Sequence, residues 1–358
     1  MTSALTSDIP GADPAWHTQN DHPFYKPSHH RLQRFVREYV DTYIAPNVEG
    51  WEKAGEIPAE VFKRHASLGF LAVSAFPLPK DYLSGVDLPA GLSMDEWDEF
   101  HDAIIIDEMA RCGYLGTVWG INGGAAVGGP PLHHYGTAEQ KKKYLAPLLR
   151  GEQRHCLGVT EPATRTGPPT AKGISVFIVP LNSKGISRRK MENSGVNSSG
   201  STFMELDDVV VPVGNMLGKE NQGFEIIMST FAHERLWVGI TALSTIPSRV
   251  IRQKFSRMAN LLEPTQAYME HLVYRSVRMP GLEFSPLAAM LKVQAAHHLE
   301  KVSRETQQVF GGLGYSRGGQ GSRVEQISRD VRVLVVSGGS EEILLDMIAK
   351  QQRRLANL

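Results

Sequence analysis

Apolar residues recur at helical spacing in the first and last parts of this chain. The spacing predicts three amphipathic helices in the first part, at residues 28–44, 58–69 and 95–112. It predicts four longer helices in the last part, at residues 223–243, 250–278, 286–310 and 340–355. Long helices joined by short connections are typical of a bundle, which we expect in the last part of the chain. Thr137 and Gln140 have the spacing of a capping box, which begins a further helix.

The middle of the chain has a different pattern. Residues 174–180 form a short run of β-branched and aromatic side chains, and residues 203–211 form a second apolar run that Pro212 ends. Glycine, serine and asparagine crowd residues 193–201, which is typical of a loop. We therefore expect a small β domain between two helical parts.

Composition narrows the classes of partner. The 358 residues contain 38 Lys and Arg and 38 Asp and Glu, so the net charge does not favour nucleic acid or an anionic membrane as a partner. No apolar run reaches about 18 residues, which predicts that no segment spans a membrane. Cys112 and Cys156 are too few for a disulfide framework and favour a reducing, intracellular compartment.

Candidate chemistry lies in the predicted helix at residues 223–243. Glu234 and Arg235 interrupt its apolar residues as an adjacent anion and cation. Burial in an apolar surface raises the pKa of a carboxylate, so Glu234 could act as a base near neutral pH. The alternative from this pattern alone is a solvent-exposed Glu–Arg pair without a chemical function.

Several motifs, in a fixed order, resemble the acyl-CoA dehydrogenase family. They are Trp-Glu-Lys-Ala-Gly at 51–55, Tyr-Gly-Thr-Ala-Glu-Gln-Lys at 135–141, Leu-Gly-Val-Thr-Glu-Pro at 157–162, Gln-Val-Phe-Gly-Gly-Leu-Gly-Tyr at 308–315 and Arg-Asp-Val-Arg at 329–332. The resemblance implies a mainly α fold with a central β-domain. Its parts are an extended N-terminal segment at 1–27, an N-terminal helical domain at 28–155, a small β-barrel at 156–219 and a C-terminal four-helix bundle at 220–358.

The chain departs from that family at two places. A segment that would flank the flavin ring is missing near 163–167, and a loop that would reach the flavin of a neighbouring subunit is missing near 243–247. Either the printed sequence omits these segments, or the protein has lost them. A barrel without adjacent strands has open edges, which favours the first explanation.

The resemblance also bears on the catalytic base. Many family members place it in a Glu-Gly-Thr motif, and the matching position here is Gly338, which has no side chain to accept a proton. Members that resemble long-chain and isovaleryl-CoA dehydrogenases instead use a Glu-Arg-Leu motif, which this chain has at 234–236. The resemblance therefore implies that Glu234 is the base. Glu341 and Glu342 begin the last helix, where carboxylates stabilise the helix dipole.

The implied reaction is the FAD-dependent α,β-dehydrogenation of an acyl-CoA thioester to the trans-2-enoyl-CoA. Glu234 would abstract the α-proton, and the flavin N5 would take the β-hydride, which no side chain can accept. The resemblance places Arg235 and the backbone of Gly338 beside the substrate. It assigns contacts with FAD to Leu157, Val159, Thr160, Gln308, Gly312, Ser340 and Glu342.

The family also implies partners and alternatives. The electron acceptor would be an electron-transferring flavoprotein or oxygen, and the protein would be a homotetramer or a homodimer. Two other functions stay open, namely an acyl-CoA or nitroalkane oxidase on the same fold and a flavin-free degenerate scaffold. The final Ala-Asn-Leu is a distant variant of a peroxisomal address, so we expect a cytoplasmic or peroxisomal location, with a mitochondrial one still open.

Overall fold

The computed structural model of the chain describes residues 15–17, 22–158, 166–168, 170–244 and 252–355. In the first part the α-helices are α1 (Pro27–Tyr39), α2 (Val48–Ala54), α3 (Ala59–Ser67), α4 (Phe70–Val73), α5 (Glu99–Ala110), α6 (Leu115–Tyr135), α7 (Ala138–Gln140) and α8 (Ala146–Leu149). The strands are β1 (Val176–Phe177), β2 (Ile186–Lys190), β3 (Thr202–Leu206) and β4 (Met216–Leu217). The last part contains α9 (Gly223–Ser244), α10 (Arg252–Ser276), α11 (Gly281–Phe310), α12 (Ser322–Val336) and α13 (Glu341–Leu355).

The predicted N-terminal helical part is confirmed. The helix expected at 28–44 forms α1 and continues as a π-helical turn to Ile44. The capping box is present, because the Thr137 side chain accepts the backbone N–H of Gln140 at 3.2 Å and the Gln140 side chain accepts the N–H of Thr137 at 2.9 Å. The side-chain amide of Gln140 also donates to the carbonyls of Gly214 and Met216, at 2.9 and 2.8 Å, which ties α7 to β4.

The β region is smaller than the predicted barrel at 156–219. In the part of the chain that the structure describes, β1 pairs with β4 and β2 pairs with β3, both antiparallel, as two separate two-stranded sheets. Closing a barrel needs more strands, tilted and staggered around a common core. Both predicted strands form, over shorter ranges, as Val176–Phe177 and Thr202–Leu206. A further strand, β2, has four exposed residues out of five. A small β region between the two helical parts is therefore confirmed, and its closure into a barrel at 156–219 stays a prediction.

The C-terminal helical domain is confirmed, with one helix more than predicted. All four expected helices form within a few residues of their predicted bounds, and α12 is a fifth, between α11 and α13. The central helix α11 packs against α9 so closely that a Cβ at Gly239 would lie 3.0 Å from Cγ of Leu291. This packing fixes α9, which carries the Glu-Arg pair, against the rest of the domain. None of the helices in the described ranges is both long enough and apolar enough to cross a bilayer.

Candidate functional site

Glu234 lies in the middle of α9 and is half-buried. Burial raises the pKa of its carboxyl group, while the neighbouring charges of Arg235 and His233 act in the opposite direction. Among the described residues, no hydrogen-bond donor holds this carboxylate. The side chain is therefore available to bind a proton from a ligand. The alternative of a solvent-exposed Glu–Arg pair is wrong.

Arg235 points away from solvent and is only 3% exposed. Its Nε donates to the carbonyl oxygen of Gly338 at 3.0 Å, and its Nη1 donates to Oγ of Ser285 at 2.6 Å. Burial lowers its pKa, and the charge of Glu234 opposes that change. The structure therefore places Arg235 against the backbone at 338 rather than at an open ligand surface.

A small cavity of about 20 Å³ lies beside this part of α9. Polar side chains from four elements line it, namely Ser74, Asp102, Asn122 and His233. Nε2 of His233 is 2.9 Å from Oδ2 of Asp102, and the ring of Phe76 stacks on His233 at 4.4 Å. A space of this size with several polar partners suits one buried water molecule.

The predicted cofactor residues lie on separate elements. Gln308 is exposed near the end of α11, and Gly312 follows it on open surface, where an added Cβ would meet no atom within 4 Å. Ser340 precedes α13 and Glu342 lies in its first turn. Hydrogen bonds from its own N–H and from Ser340 lower the pKa of Glu342. Gln308 therefore presents an exposed amide, whereas the start of α13 is already capped by the carboxylate of Glu342.

Two other groups of predictions concern residues that the structure describes only in part. Leu157 is half-buried, but Val159 and Thr160 lie outside the described residues. The predicted gaps near 163–167 and 243–247 also lie largely outside them.

Asp330, from the Arg-Asp-Val-Arg motif, belongs to a buried hydrogen-bond network. Its carboxylate accepts the backbone N–H groups of Val196 at 3.0 Å and Leu115 at 3.3 Å. The amide of Gln326 donates both to Asp330, at 2.9 Å, and to Glu52, at 3.3 Å. Two family motifs, at 51–55 and 329–332, therefore meet around one buried glutamine. They tie the N-terminal helices, the β region and α12 together.

This network predicts a pH-dependent stability. Burial raises the pKa of Asp330 to about 7, the Gln326 hydrogen bond opposes this, and the charge of Glu52 adds to it. Because the unfolded carboxyl group ionises near its ordinary pKa of 3.8, the folded state holds the extra proton between these values. The free energy of unfolding should therefore fall as pH rises from about 4 to 7, by at most about 1.4 kcal/mol per pH unit from this group.

Asp330→Asn should remove this contribution to the slope, measured by urea unfolding at several pH values. Asp346→Asn is the matched control, because Asp346 is exposed on α13 and pairs only with Lys350 at 2.6 Å in the described structure. Equal slopes for Asp330→Asn and wild type would contradict the assignment.

Sequence reasoning missed three features of this site. It did not anticipate the His233–Asp102 pair, the buried Lys292 behind the 338 backbone, or Asn122 in α6. An ionisable residue inside an apolar helical stretch is a detectable signal, and both Asp102 and Lys292 are of that kind. Their partners could not be identified, because each lies on a different helix.

Comparisons with known proteins identify relatives of the whole chain. The family model for the acyl-CoA dehydrogenase N-terminal domain matches residues 26–152, and the model for the C-terminal domain matches residues 244–352. Acyl-CoA dehydrogenase AFT10-1 of Alternaria alternata is 37% identical over 426 aligned positions, covering 100% of this chain and 99% of the relative. Acyl-CoA dehydrogenase apdG of Emericella nidulans is 32% identical, covering 98% and 97%.

A solved structure shares the fold. The acyl-CoA dehydrogenase of Bacillus anthracis, complexed with FAD, has a TM-score of 0.77 at 19% identity and covers 93% of this chain and 69% of that chain. The alignment with AFT10-1 spans more positions than the 358 residues of this chain, so that relative has residues without a counterpart here.

Proposed function

Because this chain belongs to the acyl-CoA dehydrogenase family, we propose that it oxidises an acyl-CoA thioester to the trans-2-enoyl-CoA, with FAD as its cofactor. One observation carries the proposal: position 338, where many family members place their base, contacts the residue that follows Glu234 in the chain. A Cβ at Gly338 would lie 3.5 Å from Cγ of Arg235, the residue next to Glu234. We infer from this contact that a carboxylate at 234 serves the same site as one at 338.

Glu234 would take the α-proton of the thioester onto its carboxylate. Its half-buried position and raised pKa favour a base that is strong enough for a weak carbon acid. Substrate that displaces water from this surface would further strengthen the interaction between the Glu234 carboxylate and the α-proton. Negative charge then grows on the thioester oxygen, and backbone N–H groups at 338–340 are suitable donors to it. FAD, when bound, supplies the acceptor for the β-hydride.

The residues that would hold FAD follow from the family resemblance, and Gln308 and Gly312 are also exposed. Gln308 and Gly312 would contact the adenosine end, and Ser340, Glu342 and the segment with Leu157, Val159 and Thr160 would contact the rest. We also propose that Glu234 follows the base placement of long-chain and isovaleryl-CoA dehydrogenases. The relatives named above carry no chain-length class, so this rests on Glu234 and Gly338 alone.

An anaerobic titration tests the proposal. Protein reconstituted with FAD is mixed with short, long and branched acyl-CoAs, and the absorbance of oxidised flavin at about 450 nm is followed. Bleaching by one class of acyl-CoA is the expected result, and it identifies the substrate class at the same time. Bound flavin that no acyl-CoA reduces would contradict the proposed substrate.

Two other functions are outcomes of the same experiment. Rapid reoxidation of the flavin with oxygen consumption would indicate an oxidase, whereas an electron-transferring flavoprotein is the acceptor of a dehydrogenase. Failure to bind FAD would favour a flavin-free scaffold. The two separate two-stranded sheets in place of a barrel are the observation that keeps this alternative open.

A further inference from the structure

Two buried cations hold the backbone between α12 and α13. Nζ of Lys292, on α11, donates to the carbonyl oxygen of Val335 and, at 3.0 Å, to that of Gly339. Nε of Arg235, on α9, donates to the carbonyl oxygen of Gly338 at 3.0 Å. The side chains of two different helices thus converge on one connection of four residues, 337–340.

Neither cation has an ordinary ion-pair partner within the described ranges. Lys292 is 1% exposed and Arg235 is 3% exposed, and burying an unpaired charge is costly. The charge of Glu341 acts on Lys292, but the carboxylate of Glu341 lies 2.6 Å from Nε2 of His297. Both charges are instead held by backbone carbonyl oxygens and, for Arg235, also by Oγ of Ser285.

The hydrogen bonds fix the direction of the backbone N–H groups in this connection. In a planar trans peptide the N–H points opposite to the carbonyl oxygen, so the N–H groups of Gly339 and Ser340 point away from the two cations. In the described structure these two N–H groups and that of Gly338 donate no backbone hydrogen bond. Gly338 and Gly339 have φ values of +64° and +111°, which only glycine adopts readily.

The cations also strengthen these donors. A charged group bound at a carbonyl polarises its peptide, so the N–H on the opposite side becomes a better hydrogen-bond donor. A row of free N–H groups in a turn is a site for negative charge. The turn is next to Glu234, because Arg235 links it to α9.

We propose that Lys292 and Arg235 are positioning residues, which orient and polarise the turn at 338–340 so that its N–H groups stabilise the enolate oxygen. This inference rests on the proposed function. Neither side chain touches the substrate in this arrangement, and both act through the peptide groups that they bind.

Lys292→Met tests the role of the lysine, and Lys301→Met is the matched control. Lys301 lies on the same helix and is exposed. Lys292→Met should lower kcat for flavin reduction by about 10- to 100-fold, less than the loss of a direct oxyanion donor. KM should change by less than about threefold, because only the transition state carries the full charge. Lys301→Met should behave as wild type.

The pH profile is a second readout that needs no variant. Burial lowers the pKa of Lys292 to about 8, the charge of Arg235 adds to this, and Glu341 opposes it. These two charged groups lie on α9 and at the start of α13, and the carboxylate of Glu341 is itself 2.6 Å from Nε2 of His297 on α11. Since deprotonated Lys292 polarises the turn less, the rate of wild-type flavin reduction should fall above about pH 8, and Lys292→Met should lack this alkaline decline.

Hydrogen–deuterium exchange separates this inference from the proposed function. In the protein without acyl-CoA, backbone amides at 335–345 should exchange faster in Lys292→Met than in wild type or Lys301→Met. If no acyl-CoA reduces the flavin of the wild type, the proposed function fails, while the exchange experiment still tests whether Lys292 holds the turn at 338–340. Unchanged exchange, an unchanged rate or an unchanged alkaline decline in folded Lys292→Met would overturn the inference.

Discussion

Glu234→Gln should lower the rate of flavin reduction by an acyl-CoA by about 10²- to 10⁴-fold, the usual contribution of a general base. Glutamine has nearly the same size, but it cannot take up the α-proton. FAD and acyl-CoA should still bind, because the described structure gives the Glu234 carboxylate no hydrogen bond that maintains the fold. Rapid-mixing absorbance measurements under anaerobic conditions give the rate, and calorimetry gives acyl-CoA binding.

The matched control is Glu225→Gln. Glu225 lies two turns earlier on α9, is exposed, and only accepts a weak 3.4 Å hydrogen bond from Gln222. Its variant should reduce flavin at the wild-type rate. In the wild type, the rate should rise with pH through a pKa above the ordinary value for Glu, since only ionised Glu234 can act as a base. A Glu234→Gln protein that turns over normally would rule out this base.

A second variant tests whether positions 234 and 338 serve the same carbon atom. Glu234→Gln combined with Gly338→Glu should recover part of the lost rate, because a side chain at 338 has ordinary van der Waals space beside Arg235. Recovery should be incomplete. A residue other than glycine at φ +64° costs about 1–2 kcal/mol, and it disturbs the turn that Arg235 holds. No recovery in a folded double variant would place the two positions at different sites.

The helical elements could be predicted because their signals are local. The helix at 223–243 differs from α9 by one residue at its end, and the Thr137–Gln140 capping box forms as the sequence indicates. The family motifs predicted the fold class, and Glu234 stands out because it is a charge in an apolar helix. Each of these signals comes from residues that are less than a few helical turns apart in the chain.

The remaining features depend on contacts between distant residues. Asp102 and His233 are 131 residues apart, and Lys292 meets Gly339 across 47 residues, so no periodicity reveals these contacts. The helix α12 was missed although Val324, Ile327, Val331 and Leu334 have helical spacing and are buried. The family resemblance predicts a barrel, and the described residues form two separate two-stranded sheets. Which strands pair depends on which other strands the chain contains, so it cannot be derived from one strand alone.

A buried ion pair holds α1 against α5 and makes a second large effect predictable. The carboxylate of Glu108 is fully buried and accepts two hydrogen bonds from Arg37, at 3.0 and 2.7 Å. It also accepts hydrogen bonds from the side chains of Gln33 at 2.9 Å and Arg111 at 3.0 Å. These N–H donors come from α1 and from the end of α5. Removing one cation therefore leaves a buried carboxylate with fewer donors, which is costly.

Arg37→Met should lower the free energy of unfolding by about 3 kcal/mol, the lower end for breaking a buried ion pair, because Arg111 still partly compensates Glu108. Urea or guanidinium unfolding measures this as a lower midpoint. Arg37→Met combined with Glu108→Leu should regain most of the loss, since no uncompensated charge then remains in the core. Arg31→Met is the control on the same helix, because its partner Glu96 is at the surface, and it should unfold close to wild type. A double variant as unstable as Arg37→Met would mean that lost packing, rather than the unpaired carboxylate, causes the destabilisation.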